Sequence, residues 1–564
     1  MDYSKLCDVY SELEATPSGL EKTDILAGFL GKIRDNPEFI YLLRGQLFAD
    51  YESKELGISV QLIIKAIARA AGILEDEVVD DFRKLGDLGD VAEKVLGKKK
   101  KQRGLFEKKL SVEKVLDNLR KLPEIDGAGT VDLKIGYIVD LLHSATTVEA
   151  KYIVRTVLND LKIGVGIGTL RDAIAVYCFE PKDLDDKKAC VKAVQEAYDK
   201  ATDFKEVFER ACSDSLEKIK LMPGKPLKVM LFPKAKDVED AFRIVGRPAA
   251  FEYKYDGFRV MVNKAKSGDV KIFTRALENV TKQFPELSKY AESHVLGDNF
   301  ILDCEAVGFD SATGEYTDFQ AISQRIRRKH GIGEMMKSLP VELVVFDVVF
   351  LDGDNLIDAP FEKRRKILER IVRTEEKKIV LAKQIVTGNS GEVERFYDEA
   401  LDDNQEGLMG RRLDSPYKPG ARIGYAVKLK PEDNDFDLVI TGAEWGTGKR
   451  AGWLTSFDVA CSGEDGELLG IGKVSTGLKE LKDEGLSFEE MTNMLEKVVL
   501  KAEGRHVEVK PEIVVSVQFQ NVQKSPTNSS GFALRFPRIL RVRPDRGIMD
   551  IATIDEIEAE VEKN

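Results

Sequence analysis

The chain has 564 residues, 43% hydrophobic and 33% charged, which at about 150 residues per domain implies three or four domains and excludes a single small module. Lysine and arginine number 86 against 98 aspartates and glutamates, a formal net charge of −12, so a polyanionic partner has to be held by local basic patches against the field of the whole molecule. Six cysteines without a CxxC pair and four scattered histidines argue against a zinc site or a disulfide framework and fit a reducing cytoplasm.

No cationic-then-apolar leader follows Met1, and the most apolar run, Leu343 to Leu351, is broken by Asp347 and is too short to span a bilayer. The expectation is a cytoplasmic protein with no membrane partner. From residue 1 to about 222 apolar residues recur three and four apart, as in Val60, Ile63, Ile64, Ile67 and again in Tyr152, Ile153, Val157, Leu158, Leu161, predicting an all-α first third. Inside it, Gly164, Gly166 and Gly168 predict a glycine-rich turn, with a helix starting near Thr169 and carrying Arg171. Glycines let a phosphate approach backbone N–H groups, and a helix N-terminus favours an anion. The run Lys98 to Arg103, followed by Gly104-Leu105-Phe106, reads by charge alone as a solvated loop.

Met222-Pro223-Gly224-Lys225-Pro226 breaks the helical pattern, and after Val245 the period becomes two, as in Phe251, Tyr253, Tyr255 and Phe258, Val260, Val262. Strands are predicted over 270–274, 300–307, 341–351 and 424–430, with helices between several of them, which makes a central α+β domain. Beyond Pro431 short strands resume over 437–443, 454–461, 467–474 and 513–519, as in a compact β-barrel. The expected domains are 1–222, 223–430 and 431–564, with a hinge over 431–435.

The stretch Phe251-Glu252-Tyr253-Lys254-Tyr255-Asp256-Gly257-Phe258-Arg259 is an alternating strand that enters and leaves an Asp-Gly turn, with Glu252 and Lys254 on one face and the aromatics on the other. Neutralising a lysine at neutral pH costs on the order of 4–5 kcal/mol, so a lysine nucleophile needs neighbouring cations or burial. Lys428 and Lys430, two apart on a predicted strand, share a face and suit that task. Glu305 and Glu406 suit Mg²⁺ (or Mn²⁺), which takes one or two carboxylates plus phosphate oxygens and water. Phe346 lies in an apolar run and reads by itself as core. Arg325, Arg327, Arg328 and Lys329 read as a basic surface patch. Lys524, Arg535, Arg538, Arg541, Arg543 and Arg546 make a second one near the C-terminus. Gly446-Thr447-Gly448-Lys449 has the look of a Walker A tail, but Ala443 and Arg450 stand where a glycine and a hydroxyl residue belong, so a P-loop is rejected.

In order and spacing these segments resemble the motifs of the ATP-dependent DNA ligases, archaeal and eukaryotic replicative type, within the covalent nucleotidyltransferase superfamily. The set comprises the Lys254 segment, Phe273-Thr274-Arg275 with Glu278-Asn279-Val280-Thr281, and Ile301-Leu302-Asp303-Cys304-Glu305 with cysteine for the usual glycine. It continues with Val345-Phe346-Asp347, Glu406-Gly407-Leu408-Met409-Gly410-Arg411 with arginine for the usual lysine, and Lys428-Leu429-Lys430 with Ala426 for a customary tryptophan. It ends with Leu534-Arg535-Phe536-Pro537-Arg538.

The resemblance implies an all-α N-terminal DNA-binding domain, an α+β adenylation domain and a C-terminal OB-fold β-barrel. It implies that Lys254 takes AMP from ATP, that AMP passes to the 5′-phosphate of a nick in duplex DNA, and that the 3′-hydroxyl displaces it. Glu252 is then similar to the residue at the adenine edge, Phe346 to the ring stacked on adenine, and Arg259 and Arg275 to residues facing the ribose and the nicked-strand phosphate. Arg411, Lys428 and Lys430 fall at AMP-contacting positions, Glu305 and Glu406 at ribose or metal positions, and Arg535 and Arg538 at positions that orient the leaving pyrophosphate and then meet DNA. Gly164, Gly166, Gly168, Thr169 and Arg171 resemble a minor-groove loop, and Gln102, Leu105 and Phe106 a sliding-clamp peptide. A monomer is expected. An RNA ligase or capping guanylyltransferase is disfavoured by the long helical first third, and a non-enzymatic DNA-binding scaffold by the intact Lys254, Glu305, Glu406, Lys428 and Lys430.

Overall fold

The computed structural model describes the chain except residues 53, 99–108, 128, 318–321, 323–324, 327, 329, 422–423, 432–433, 464–466, 482–485, 545 and 563–564. Gln102, Leu105 and Phe106, and likewise Arg327 and Lys329, lie outside the described residues. The chain divides after Lys430 into two compact units, Met1–Lys430 and Pro431–Asn564.

The first 222 residues hold helices and no strand among the described residues, around one apolar core that runs from Tyr3 to Ile219. The helix Val60–Ala71 shows why the periodicity was informative: Ser59 caps it by accepting from Leu62 N, Gly72 ends it at φ 72°, and Ile63, Ile64 and Ile67 point into the core. The second periodic run overreaches. The helix Thr147–Val157 ends four residues before Leu161, because Asn159 and Lys162 turn left-handed at φ 54° and 58°. The next helix, Ile167–Phe179, starts two residues before Thr169, with Gly166 as its N-cap.

Ten strands follow among the described residues of the first unit. They are β1 (Ala249–Tyr253), β2 (Phe258–Lys264), β3 (Val270–Thr274), β4 (Phe300–Gly308), β5 (Val341–Leu351), β6 (Asp354–Asn355), β7 (Ile379–Leu381), β8 (Gln384–Thr387), β9 (Leu408–Arg412) and β10 (Ala426–Leu429). They form a four-stranded sheet of order β10-β9-β1-β8 and a six-stranded sheet of order β3-β2-β4-β5-β6, in which β7 runs parallel to β5. In the smaller sheet Phe251, Tyr253, Leu408, Val427 and Leu429 enter an apolar core, which leaves the opposite face to Glu252, Lys254, Arg411 and Lys428. In the larger sheet Cys304 pairs with Val260 and Val345 and is fully buried in the apolar layer, so the residue that replaces the family's glycine fills core volume rather than the site.

The second unit is strand-rich. Its antiparallel sheet runs Leu468–Val474, Leu454–Ser462, Asn434–Trp445, His506–Val509, Val499–Glu503, and Val514–Phe519 joins Asn434–Trp445 to Arg538–Val542. Leu438, Phe457, Met491 and Val517 are among its buried core.

Candidate active site

Lys254 follows β1 directly, and its backbone is fixed at both groups: its N–H donates to Gly407 O and its carbonyl accepts from Glu406 N, each at 2.8 Å. Gly407 has φ 123°, and a Cβ there would lie 2.3 Å from Leu429 O, so only glycine permits this approach. The consequence is that Glu406 is carried to the Lys254 ammonium, with Oε2 2.8 Å from Nζ. Lys430 pairs with the same oxygen, so one carboxylate bridges two lysines. Burial alone would raise Glu406, but the Lys254 and Lys430 charges hold its carboxyl below the usual value. Burial, and next the Lys254 charge, push Lys430 below the usual lysine value. Lys428 is half-buried on the same face, opposite Met409.

The larger sheet supplies the other wall. Glu305 on β4 lies opposite Arg259 on β2. Burial pushes its carboxyl up to about 8, against the Lys254 and Arg259 charges and with the Glu406 charge adding to the rise. Arg259 grips fully buried Asp303 through Nε (2.9 Å) and Nη2 (2.5 Å) and donates through Nη1 to Met230 O (2.7 Å). Tyr417, also buried, donates to Asp303 Oδ2 at 2.7 Å.

Phe346 is not core. The β4–β5 register slips between the pairs Asp303–Asp347 and Cys304–Val345, so Phe346 is the extra residue of a β-bulge. A bulge re-aims its side chain. The ring is half-buried between the guanidiniums of Arg259 (5.4 Å) and Arg411 (5.2 Å).

Arg411 sits opposite Ala250 and Ala426 on neighbouring strands. Its Nε lies 3.2 Å from Glu252 Oε2 and its Nη1 2.9 Å from Asp347 Oδ2. This two-ended pairing is what a planar guanidinium does and an ammonium does not. Asp347 is held from behind by Arg364, with Nε and Nη2 at 2.7 and 3.1 Å, and both partners are fully buried. Ala426 is buried in the same apolar cluster as Phe273 and Tyr417.

Asp303, Asp347, Arg364, Arg365, Gln384 and Tyr417 were not singled out from sequence. One signal was available for Asp347: a lone aspartate inside an apolar run demands a buried cation.

Other expected site residues lie apart from this cluster. Arg275 is exposed in the turn after β3. Gly164 (φ 65°) and Gly166 are exposed, while Ile163 O accepts from Lys22 Nζ at 2.6 Å and Lys162 pairs with Asp87 at 2.7 Å. Gly168 and Thr169 lie in the first turn of the helix. Arg171 is committed to Asp172 (2.6 Å) and to Gln195 Oε1 (2.8 Å). Arg325 is a correction. It is no surface cation but a buried strut, paired with Glu286 at 2.6 Å and donating to Leu339 O and Gln283 O. In the second unit Arg538 and Arg541 are exposed, but Arg543 and Arg546 both pair with Asp437, at 2.8 and 3.1 Å, so the patch is less basic than its composition suggests.

Among the described residues no group of three or more His, Cys, Asp or Glu is placed to hold a metal ion. Glu305, raised by burial, and Glu406, held low by the Lys254 and Lys430 charges, are instead oxygen donors of the kind Mg²⁺ takes when phosphate and water complete its shell, so the residue types fit that ion. No helix among the described residues is long and apolar enough to cross a membrane.

Comparison with known proteins shows the family. Residues 229–430 match the ATP dependent DNA ligase domain, residues 2–175 the DNA ligase N terminus and residues 450–546 the ATP dependent DNA ligase C terminal region. The chain is 44% identical to a DNA ligase of Nanoarchaeum equitans, over 99% of this chain and 98% of that one. It is 41% identical to a DNA ligase of Thermococcus fumicolans, over 99% and 98%. Among solved structures, Pmar-Lig_Pre shares the fold at a TM-score of 0.56 and 16% identity, covering 95% of this chain and 98% of that one. A helical first third, a two-sheet centre with a lysine bridged by Glu406, and a strand-rich end therefore have one common explanation: the chain belongs to the ATP-dependent DNA ligase family.

Proposed function

We propose that this protein seals 5′-phosphate/3′-hydroxyl nicks in duplex DNA through a lysine–AMP intermediate on Lys254. The observation that carries the reading is the Lys254–Glu406–Lys430 arrangement, in which one carboxylate orients the nucleophile and a second cation stands beside it. Lys254 Nζ, after losing a proton, attacks the α-phosphorus of ATP; the N–P bond forms, the bond to the bridging oxygen breaks and pyrophosphate leaves. The 5′-phosphate oxygen of the nick then takes AMP from the lysine, and the 3′-hydroxyl attacks the 5′-phosphorus to release AMP and a proton.

In this reading Lys428 and Lys430 meet charge on the α-phosphate, and charge stabilisation and positioning supply most of the acceleration. Glu252 meets the adenine edge, and Phe346 and Arg411 flank the base. Arg259, locked by Asp303, faces the ribose, and Arg275 the nicked strand. Glu305 and Glu406 would hold Mg²⁺ or Mn²⁺, which would supply neutralising charge to phosphate oxygens. The glycines of 164–168, Thr169 and Arg171 approach the DNA backbone. Arg535 and Arg538, on a C-terminal domain read as an OB-fold, serve the leaving pyrophosphate and then DNA. Domains of 1–222, 223–430 and 431–564, a monomer, a sliding clamp met through Gln102, Leu105 and Phe106, and a cytoplasmic, nucleoid-associated location complete the proposal.

Intact-protein mass after incubation with ATP and Mg²⁺ tests it. Wild type, first freed of any bound AMP with pyrophosphate, gains one AMP, and Lys254→Ala gains none. An unmodified wild type, or an adduct that survives in the mutant, overturns it.

A further inference from the structure

Three donor groups meet the Glu252 carboxylate, with the Asp347 carboxylate as a further charged neighbour. Gln384, opposite it on β8, donates through Nε2 to Oε1 at 3.0 Å. Arg365, on the helix Phe361–Ile371, donates through Nη1 to the same oxygen at 3.4 Å. Arg411 Nε lies 3.2 Å from Oε2, is buried, and completes no hydrogen bond. The hydrogen bonds from Gln384 and Arg365 thus both end on Oε1, and Oε2, with Arg411 Nε beside it, is the oxygen they leave for a ligand. Arg364, Arg365 and Arg411 face the two carboxylates of Glu252 and Asp347, so a second proton on this cluster would add to an existing excess of positive charge.

We infer that Arg365 and Gln384 are positioning residues for nucleotide choice: with Arg411 they hold Glu252 as a pure hydrogen-bond acceptor, so that the site takes a 6-amino purine nucleotide and turns away a 6-oxo one. The inference rests on the proposed role of Glu252 at the base edge and deepens it. An acceptor-only carboxylate pairs with the exocyclic N–H of adenine and repels the O6 of guanine, and a mismatch of this polarity leaves two buried acceptors facing each other. Burial already raises the Glu252 carboxyl, opposed first by the Arg411 charge and next by that of Arg365, with Asp347 adding to the rise. Tyr255 is the other titratable neighbour, raised chiefly by its own burial. Loss of Arg365 therefore favours a protonated Glu252, which can donate to O6.

The test measures kcat and KM for adduct formation on Lys254 with ATP and with GTP, from pH 5.5 to 8.5, in wild type, Arg365→Met, Arg365→Lys and Glu252→Gln. The expected result is a fall in ATP-over-GTP preference of roughly tenfold or more in Arg365→Met, carried by KM and larger at low pH, with recovery in Arg365→Lys. Glu252→Gln, whose amide both donates and accepts, loses preference in the same direction and carries the test if Arg365→Met does not fold. Equal losses with both nucleotides, or a preference unchanged across pH, overturn the inference alone. A wild type that forms no adduct with either nucleotide overturns the proposed function and this inference with it.

Discussion

The face of the four-stranded sheet and the glycine loop of the helical third are both charged, yet their charges are spent differently. On the sheet Lys254, Glu406 and Lys430 converge on one another, and the pairing leaves an ammonium, a carboxylate and a second cation together where the proposed function has a phosphate handled. Around the loop the cations are engaged within the protein: Arg171, expected to meet DNA, is on Asp172 and Gln195, and its neighbours Lys22 and Lys162 are on Ile163 O and Asp87. There the cations set the shape of the loop, and what stays exposed is the backbone at Gly164 and Gly166. A basic residue in a motif is therefore two different things: a group that meets substrate, or a group that builds the surface that does.

The largest effect expected from breaking this contrast is on the sheet. Lys430→Met removes a cation from the bridge, and the rate of Lys254 adenylylation should fall about 10²- to 10³-fold in single-turnover assays, with thermal stability unchanged. A fall of less than threefold would reassign Lys430 to structure. Behind the sheet, Arg364→Met strips Asp347 of its buried partner and should cost about 3–5 kcal/mol in denaturant unfolding, toward the low end because Arg411 remains paired with Asp347. On the loop, Gly164→Ala strains a residue at φ 65° and should cost about 1–2 kcal/mol locally, read as a drop of roughly five- to thirtyfold in affinity for nicked DNA with adduct formation intact.

The smallest effect sits at the junction of the two regions. Asp199, on the helix Leu184–Ala201, accepts from Gln195 Nε2 at 2.8 Å, and its backbone carbonyl accepts from Lys228 N at 2.8 Å. Its carboxyl is pushed up to about 6, burial being the main cause. A raised acid stabilises the fold fully below its unfolded value, near pH 4, and loses that contribution as pH rises through about 6. Thermal midpoints should therefore decline modestly from pH 4 to 6.5 on this account, and Asp199→Asn should flatten that part of the profile. An unaltered profile would remove Asp199 from it.

The legible part of the site was the part that lies along single strands. Alternation put Glu252 beside Lys254, and the strands expected over 270–274 and 300–307 differ by one residue or less from β3 and β4. Charge counting failed wherever a cation was buried, as at Arg325, or neutralised from far along the chain, as at Arg543 and Arg546 by Asp437. At Phe346 the apolar run by itself points to core while the resemblance points to the site, because periodicity assumes an unbroken ladder and a bulge inserts a residue the period does not count.

The sequence by itself determined the order of helical and strand-rich regions, the face on which Glu252 and Lys254 lie, and the family, because these follow from local period and from residues held at short spacing. Only the tertiary structure decided which charges meet. Glu406 reaches Lys254 across 152 positions because Gly407 alone permits β9 to enter so close to Leu429, and Arg411 reaches Asp347 and Glu252 because three strands and a bulge set their register. Electrostatic pairing depends on distance and burial, and neither is written in the chain until it folds.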